Sequence, residues 1–186
     1  MSAAEPGAIS VRITRTAQLF NVLDPSPFHE KDLDPEADKF IFEWARDLGE
    51  RPYRIEVELP DAELAAAEAA RVPDAIRNHF RLRLQSERRK LRHELWRGRT
   101  ALVIGLLFLS GCIALRELLG SFGDGGFWEV LGEGLLIAGW VAMWGPLEIF
   151  LYGWWPIAGT CRTLGRLAEA EVDLRAAALP RNERSP

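Results

Sequence analysis

The sequence predicts an α+β protein: a small two-stranded cytoplasmic α/β domain on a helical stalk, followed by a two-helix transmembrane hairpin and a C-terminal cytoplasmic helix. Two neighbouring apolar runs, residues 101–115 and 134–155, predict the hairpin. Two short segments of alternating apolar and polar residues, 9–13 and 53–59, predict the strands. An uneven distribution of charge along the chain supports the same division.

Charge separates an acidic first part of the chain from a basic segment before the first apolar run. Residues 1–75 carry sixteen acidic and eight basic side chains, a net charge of −8. Residues 77–99 carry nine basic side chains against two acidic ones, a net charge of +7, although the whole chain of 186 residues is at −4. Such asymmetry indicates a membrane surface or an internal electrostatic pairing.

The first domain is predicted from local signals. ISVRI and YRIEVEL alternate and are expected to form half-buried strands. Between them, Asp34 as N-cap, Pro35 in the first position and Gly49 after the end bound an amphipathic helix. A further helix is expected over 61–71. The apolar stripe of the first helix consists of Ala37, Phe40, Ile41, Trp44, Ala45 and Leu48.

Two longer amphipathic helices flank the membrane segment. One starts near Asp74, carries a stripe from Ile76 to Leu95, and can run unbroken into the first span. The other follows the second span, with Ile157, Cys161, Leu164, Ala168 and Val172 on one face. The predicted boundaries are 1–8 (flexible tail), 9–75 (acidic α+β domain), 76–99 (basic juxtamembrane helix), 100–119 (first span), 120–126 (external loop), 127–153 (second span), 154–178 (C-terminal helix) and 179–186 (flexible tail).

Arginine placement predicts the topology of the hairpin. The basic run 77–99 precedes the first span, Arg162 and Arg166 follow the second, and the loop between the spans has no Lys or Arg. The positive-inside rule therefore places both termini in the cytoplasm. Since the N-terminus MSAAEPGAISVRI lacks a basic start followed by an apolar run, it does not resemble a signal peptide.

Glu148 is the one carboxylate in the second apolar run, two residues after Pro146. If residues 119 and 127 lie at the same depth, Glu148 lies level with residue 98. The sequence therefore predicts a structural ion pair between Glu148 and a flanking arginine at the inner end of the hairpin. A second set of ion pairs is predicted at the outer end. The residues of both sets are Glu148, Arg97, Arg99, Arg116, Glu129 and Glu133. Ion coupling by Glu148, and contact of Glu148 with a partner protein, are the open alternatives.

Side chains at the predicted membrane surface form two further groups. Basic side chains are expected to contact anionic lipid headgroups: Arg88, Arg89, Lys90, Arg92, Arg97 and Arg99. Aromatic side chains are expected at the two interfaces: Trp96, Trp128, Trp154 and Trp155. Because the basic segment adjoins the membrane, lipid is the nearer polyanion, and nucleic acid is not expected as a partner.

The sequence contains no recognisable catalytic signature, and its candidate metal-binding motifs do not fit the residues around them. The acids at 32, 34, 36, 38 and 43 have calcium-loop spacing, but Ala37 stands where that loop needs glycine and a helix is predicted there. His29, near Asp24 and Asp32, is expected to be a solvated surface residue. Cys112 and Cys161 fall in different environments, so no disulfide framework, metal or cofactor is expected.

These patterns favour a non-enzymatic, membrane-anchored interaction or regulatory protein. The first alternative is a small ion or proton channel or transporter subunit using Glu148, and the second is an enzyme using the acids of 24–38. Partners are expected to be the lipid bilayer and either a second copy, in a homodimer or higher homo-oligomer, or another membrane protein. High usage of Ala, Arg and Gly is typical of bacteria, so the expected location is the bacterial inner (plasma) membrane.

Overall fold

A computed structural model describes residues 7–21, 31–121 and 126–177. Three strands are present in this part of the chain: β1 (Gly7–Arg12), β2 (Tyr53–Leu59) and β3 (Glu171–Ala176). The helices are α1 (Pro35–Leu48), α2 (Asp61–Ala69), α3 (Val72–Gly120), α4 (Gly126–Ala142), α5 (Trp144–Glu148) and α6 (Trp155–Ala168). A 3₁₀ turn covers Thr16–Leu19 and a π-helix covers Ile149–Gly153.

The described residues form two compact units. Those up to Ser86 and from Thr160 onward make the α/β unit, and those from Glu87 to Gly159 make the hairpin unit. The predicted tail 179–186 lies outside the described residues, as do residues 1–6 and 122–125. At the other end, β1 begins at Gly7, inside the segment predicted as a flexible tail.

The sheet has three parallel strands in the order β1-β2-β3, with β2 in the centre. The register aligns Ile9, Ile55 and Val172 across the three strands. This corrects two predictions, because the sheet does not have two strands and the helix expected over 154–178 ends at Ala168. The apolar positions 168 and 172 fit a helix stripe, but 172 and 174 also alternate as a strand, and pairing with β2 decides between them.

One face of the sheet is buried and the other carries charge. Ile9, Ile55, Val57 and Leu59 on the buried face are almost completely inaccessible to solvent. On the open face, ion pairs link neighbouring strands: Arg12 Nε–Glu58 Oε2 at 2.7 Å, Arg54 Nη2–Glu171 Oε2 at 2.7 Å and Arg175 Nη2–Glu56 Oε1 at 3.0 Å. Parallel sheets are usually covered on both faces, so an open, charged face is unusual.

Helix α1 begins and ends where its sequence signals place it. The Asp34 carboxylate accepts a hydrogen bond from the Glu36 N–H at 2.9 Å, Pro35 is the first residue, and Gly49 follows the end with a φ of +72°. Ile41 and Ala45 are buried as predicted. Phe40 and Trp44, predicted in the same stripe, are instead 44% and 43% exposed. Each lies about 100° around the helix from a buried neighbour, at the edge of the apolar face.

The core of the α/β unit is completed by α3 and α6. The predicted stripe of α3 is buried at Ile76, Phe80 and Leu84, and α6 contributes Leu164 and Leu167. Between α2 and α3, Arg71 adopts a φ of +54°, and this left-handed residue ends one helix before the next begins at Val72. The segments predicted separately as 76–99 and 100–119 belong to one continuous helix, α3.

Antiparallel packing of α3 against the second helical run builds the hairpin unit. A Cβ built on Gly139 would lie 2.7 Å from Leu109 Cδ1, and one on Gly105 would lie 3.0 Å from Met143 Sδ. Each glycine therefore allows a close approach that a larger residue would prevent. Both helical runs, Val72–Gly120 and Gly126–Ala168, are long and apolar enough to cross a membrane, by length and composition.

Candidate functional site

The second apolar run is a broken helix, and Glu148 lies at the break. Pro146 has no N–H to donate to the Ala142 carbonyl, and α4 ends at Ala142. The Met143 N–H instead reaches the Trp140 carbonyl at 3.0 Å, over a span of three residues. The short helix α5 then ends at Glu148, and the π-helix follows directly. π-helical turns are rare and often occur at functional sites.

Glu148 is exposed on the hairpin surface, close to its predicted level. A Cβ on Gly98 would lie 2.8 Å from Ile149 Cγ2, so Gly98 faces the residue after Glu148. Arg97 and Arg99 are exposed and each lies about 100° around α3 from the buried Gly98. For this reason neither arginine is directed into the contact between the helices.

Within the described residues, no ion pair within 4.0 Å joins Glu148 to an arginine. Arg97 Nε lies instead 3.6 Å from Glu94 Oε2, one helical turn earlier. Glu148 therefore lies at about the same height along the hairpin as Gly98, as predicted, but the expected ion pair is not formed within one chain. An ion pair between Glu148 and an arginine stays a prediction.

At the outer end, the Arg116 stem lies across Gly132. A Cβ on Gly132 would lie 3.1 Å from Arg116 Cγ and 3.8 Å from its Nε. Glu129 and Glu133, three residues before and one residue after Gly132, are exposed, and the described part of the chain contains no ion pair from Arg116 to them. The predicted outer pairs are therefore not formed in the structure and stay predictions.

The predicted surface groups are accessible. Among the basic side chains predicted to contact headgroups, Lys90 Nζ lies 2.6 Å from Glu87 Oε1. The exposed arginines of this set include Arg88, Arg89, Arg92 and Arg99. Trp96 and Trp155 are exposed and Trp128 is at the margin of exposure. Trp154 is half-buried, and its indole Nε1–H donates to the Phe150 carbonyl at 2.8 Å. These positions leave headgroup and interface roles open as predictions.

A polar cluster in the α/β unit was not predicted from the sequence. His79, 12% exposed, lies between α3 and α1, with Nε2 3.3 Å from Asp38 Oδ1 and Nδ1 3.2 Å from Asp32 Oδ1. Arg83 donates to both oxygens of Asp38 and its guanidinium lies over the Phe42 ring at 4.8 Å. His79 and Arg83 are four residues apart and share one face of α3.

Both ring nitrogens of His79 contact polar atoms. Nδ1 lies 3.2 Å from the Leu33 N and 3.2 Å from Asp32 Oδ1, and Nε2 lies 3.3 Å from Asp38 Oδ1. Burial raises the pKa of Asp38, but the hydrogen bond from His79 and the charge of Arg83 outweigh it and hold that pKa below its usual value. The cluster therefore acts as a clamp between α1 and α3.

The candidates for metal binding and catalysis gain no support. Helix α1 begins at Pro35, inside the segment with calcium-loop spacing, as predicted from its N-terminal signals. Asp24 and His29 lie outside the described residues. Over the ranges 7–21, 31–121 and 126–177, no three His, Cys, Asp or Glu side chains are grouped so that they could hold a metal ion.

No known protein family, curated protein or solved structure matches this chain.

Proposed function

We propose that this protein is an integral membrane protein whose two-helix hairpin anchors the α/β unit at the cytoplasmic surface, where the unit serves as a non-enzymatic interaction module. The observation that carries the proposal is the apolar surface of the hairpin unit. Only 11% of the most apolar window of each helical run is buried, and large apolar side chains such as Leu107, Val130 and Val141 are exposed. An apolar surface this extensive requires a non-aqueous environment.

The distribution of basic side chains supports a cytoplasmic location for the α/β unit. The basic side chains before the first span and after the second lie on the chain segments nearest to that unit. Short loops rich in Lys and Arg remain on the cytoplasmic side during insertion. The alanine-, arginine- and glycine-rich composition supports a bacterial inner membrane as the location.

Surface features of the α/β unit support an interaction role. Among its described residues, the exposed large apolar side chains are Phe40, Trp44 and Leu82. Phe40 and Trp44 meet edge to face at 5.2 Å, and with Glu43 and Asp47 they line a shallow groove of about 370 Å³. Exposed aromatic side chains are typical of protein-binding surfaces.

Extraction and cross-linking test the two parts of the proposal. The full chain should stay in the membrane pellet after alkaline extraction. A photo-reactive amino acid in place of Trp44 should form adducts with another protein in cells, and the same probe at Arg46, exposed on the same helix, is the matched control. Extraction into the soluble fraction would contradict the anchor. Equal adducts, or none, at both positions would contradict the interaction surface.

The broken helix favours a second candidate function, a channel or transporter subunit that couples ions through Glu148. Proline breaks and π-helical turns at membrane depth often accompany ion or substrate sites. Proton or ion flux in reconstituted vesicles that disappears in Glu148→Gln would favour this candidate. Flux that is absent, or unchanged by the substitution, would leave Glu148 without a transport role.

A further inference from the structure

The outer edge of β1 carries backbone hydrogen-bonding groups that point away from the sheet. β1 is an edge strand, and the Gly7 N–H donates to the Pro52 carbonyl at 2.8 Å, so Gly7 and the alternate residues after it face β2. Alternate residues of a strand direct their N–H and C=O groups to opposite neighbours. Those of Ala8, Ser10 and Arg12 therefore point outward, and the described part of the chain supplies no backbone partner for them.

The two edges of the sheet differ in how they are protected against a further strand. Native edge strands are usually blunted by charged side chains, by proline or by a bulge. At the other edge, β3 carries Glu171, Asp173 and Arg175 on the open face. β1 has six residues without proline, and its only charged side chain is Arg12. β1 is therefore the edge that can accept another strand.

Helix α1 places its exposed aromatic pair beside this edge. Phe40, Trp44 and Leu48 are four residues apart and lie in one row along α1. Leu48 brings the row onto β1, because a Cβ built on Gly7 would lie 2.9 Å from Leu48 Cδ1. α3 occupies the opposite flank of α1, where Phe42, about 160° around the helix from Phe40, lies beneath an α3 guanidinium. The aromatic pair therefore lies on the side of the β1 edge.

The groove at this flank combines apolar and acidic side chains. Phe40, Glu43, Trp44 and Asp47 line it. The basic neighbour of Glu43 is Lys39, at 4.0 Å, and among the described residues no basic group lies within 4.0 Å of Asp47. Strand addition uses main-chain hydrogen bonds for affinity and pockets for alternate side chains for specificity. The groove can thus accept one apolar and one cationic side chain from the same face of an added strand.

From these observations we infer that the outer edge of β1 is a strand-addition site for an extended, basic segment of a partner protein. The segment pairs with the outward backbone groups of β1, directs an apolar side chain against Phe40 and Trp44, and places Lys or Arg beside the acids of the groove. The inference deepens the proposed interaction role of the α/β unit and rests on it. A second copy fits less well, because pairing through its own β1 brings two acidic grooves together.

Peptide selection against the detergent-solubilised full chain tests this site. Displayed random peptides of about ten residues, long enough for one strand, are selected and then synthesised. We expect alternating sequences with apolar and basic side chains on one face. Ser10→Pro removes an outward N–H, a change that edge strands tolerate, and should weaken peptide binding about tenfold or more. Ala176→Pro makes the same change at the outer edge of β3, as the matched control, and should leave binding unchanged.

Two further comparisons separate backbone pairing from the groove. N-methylation of alternate peptide amides should abolish binding in one register and not in the other, because only one set of amides faces β1. This result does not depend on whether any variant folds. Trp44→Ala should weaken binding about tenfold, whereas Arg46→Ala, also exposed on α1, should not. Protease resistance equal to that of the wild type shows that each variant is folded.

Several results would overturn the inference. These are a selection that enriches no peptide, binding that is equal whichever amides are methylated, and equal losses in Ser10→Pro and Ala176→Pro. Self-association that Ser10→Pro abolishes would assign the edge to a second copy, and peptide binding that appears only after deletion of residues 178–186 would assign it to the chain's own end. Adducts at Trp44 in cells that persist in Ser10→Pro would retain the proposed interaction surface and reject strand addition.

Discussion

At the residue scale, the clamp formed by His79, Asp38 and Arg83 fixes α1 against α3. Asp38 comes from the first turn of α1, whereas its two partners come from α3, more than forty residues later. The sequence shows the acid-rich first turn and the basic helix, but not which of the many acids and bases meet. That choice is made by the packing of Ile41 and Phe80 in the core, which sets the rotation of each helix.

Replacement of Asp38 tests the clamp. Asp38→Asn should destabilise the α/β unit by about 1–3 kcal/mol at neutral pH, because hydrogen bonds to a largely buried charged group are lost. Asp47→Asn, on the exposed side of the same helix, is the matched control and should have little effect. Resistance of the detergent-solubilised full chain to proteolysis during a thermal ramp measures the difference. Equal stability of the two variants would contradict a clamp at Asp38.

The clamp also predicts a pH dependence. The pKa of Asp38 in the folded unit lies below its ordinary value of 3.8, so the ionised carboxylate stabilises the fold above that pH. This contribution is lost as the pH falls through the folded-state pKa. The stability difference between wild type and Asp38→Asn should therefore be constant near neutrality and shrink below about pH 3.8. A difference that grows with acidification would contradict the assignment.

At the element scale, β3 shows where sequence patterns stop being decisive. α1 was predictable because its cap, its first proline and its terminal glycine are local signals within Asp34 to Gly49. The segment 171–176 fits both a helix stripe and an alternating strand, and the choice depends on β2, more than a hundred residues earlier. Only the distant partner strand distinguishes the two.

Val172 tests the third strand. It is 9% exposed and lies opposite Ile55, so Val172→Asp buries a charge in the core. We expect a loss of about 3 kcal/mol or more in the stability of the α/β unit, measured by protease resistance. Asp173→Ala, on the open face of the same strand, should cost far less. Equal losses of protease resistance in Val172→Asp and Asp173→Ala would contradict the third strand.

The hairpin shows a similar ambiguity among glycines. Small residues lie on more than one side of the second helical run, among them Gly132, Gly139, Gly134, Ala138 and Gly145. In the structure, Gly139 and Gly132 meet α3, whereas Gly134 and Gly145 have no atom within 4 Å of a built Cβ. Which side of the second helical run faces α3 depends on the rotation of the two helices that brings Gly105 against Met143. Sequence periodicity does not specify that rotation.

Substitution of these glycines separates the two faces. Gly139→Ile should force α3 and α4 apart, because even a Cβ there would lie 2.7 Å from Leu109 Cδ1. In a background without native cysteines, the yield of a disulfide between Gly105→Cys and Met143→Cys should fall sharply. Gly134→Ile is the matched control and should leave the yield unchanged. The opposite ranking would contradict the observed packing face.

At the scale of the whole molecule, the chain contains a folded α/β unit and a hairpin unit whose two helical runs are long and apolar enough to cross a membrane. The two apolar runs and the basic segment between the units were predictable because hydropathy and charge are properties of contiguous sequence. The third strand, the His79 clamp and the π-helix after Glu148 were not, since each depends on contacts between distant segments or on backbone geometry. The proposed topology, with both termini in the cytoplasm, follows from arginine placement and is the central claim of the proposed function.

Labelling with a membrane-impermeant thiol reagent tests that claim most directly. Single cysteines replace Ser2 or Ser121 in a chain carrying Cys112→Ser and Cys161→Ser, and the reagent is applied to intact cells. We predict labelling at position 121 on intact cells, and labelling at position 2 only after the cells are permeabilised. Labelling at position 2 without labelling at position 121 on intact cells would contradict the proposed topology.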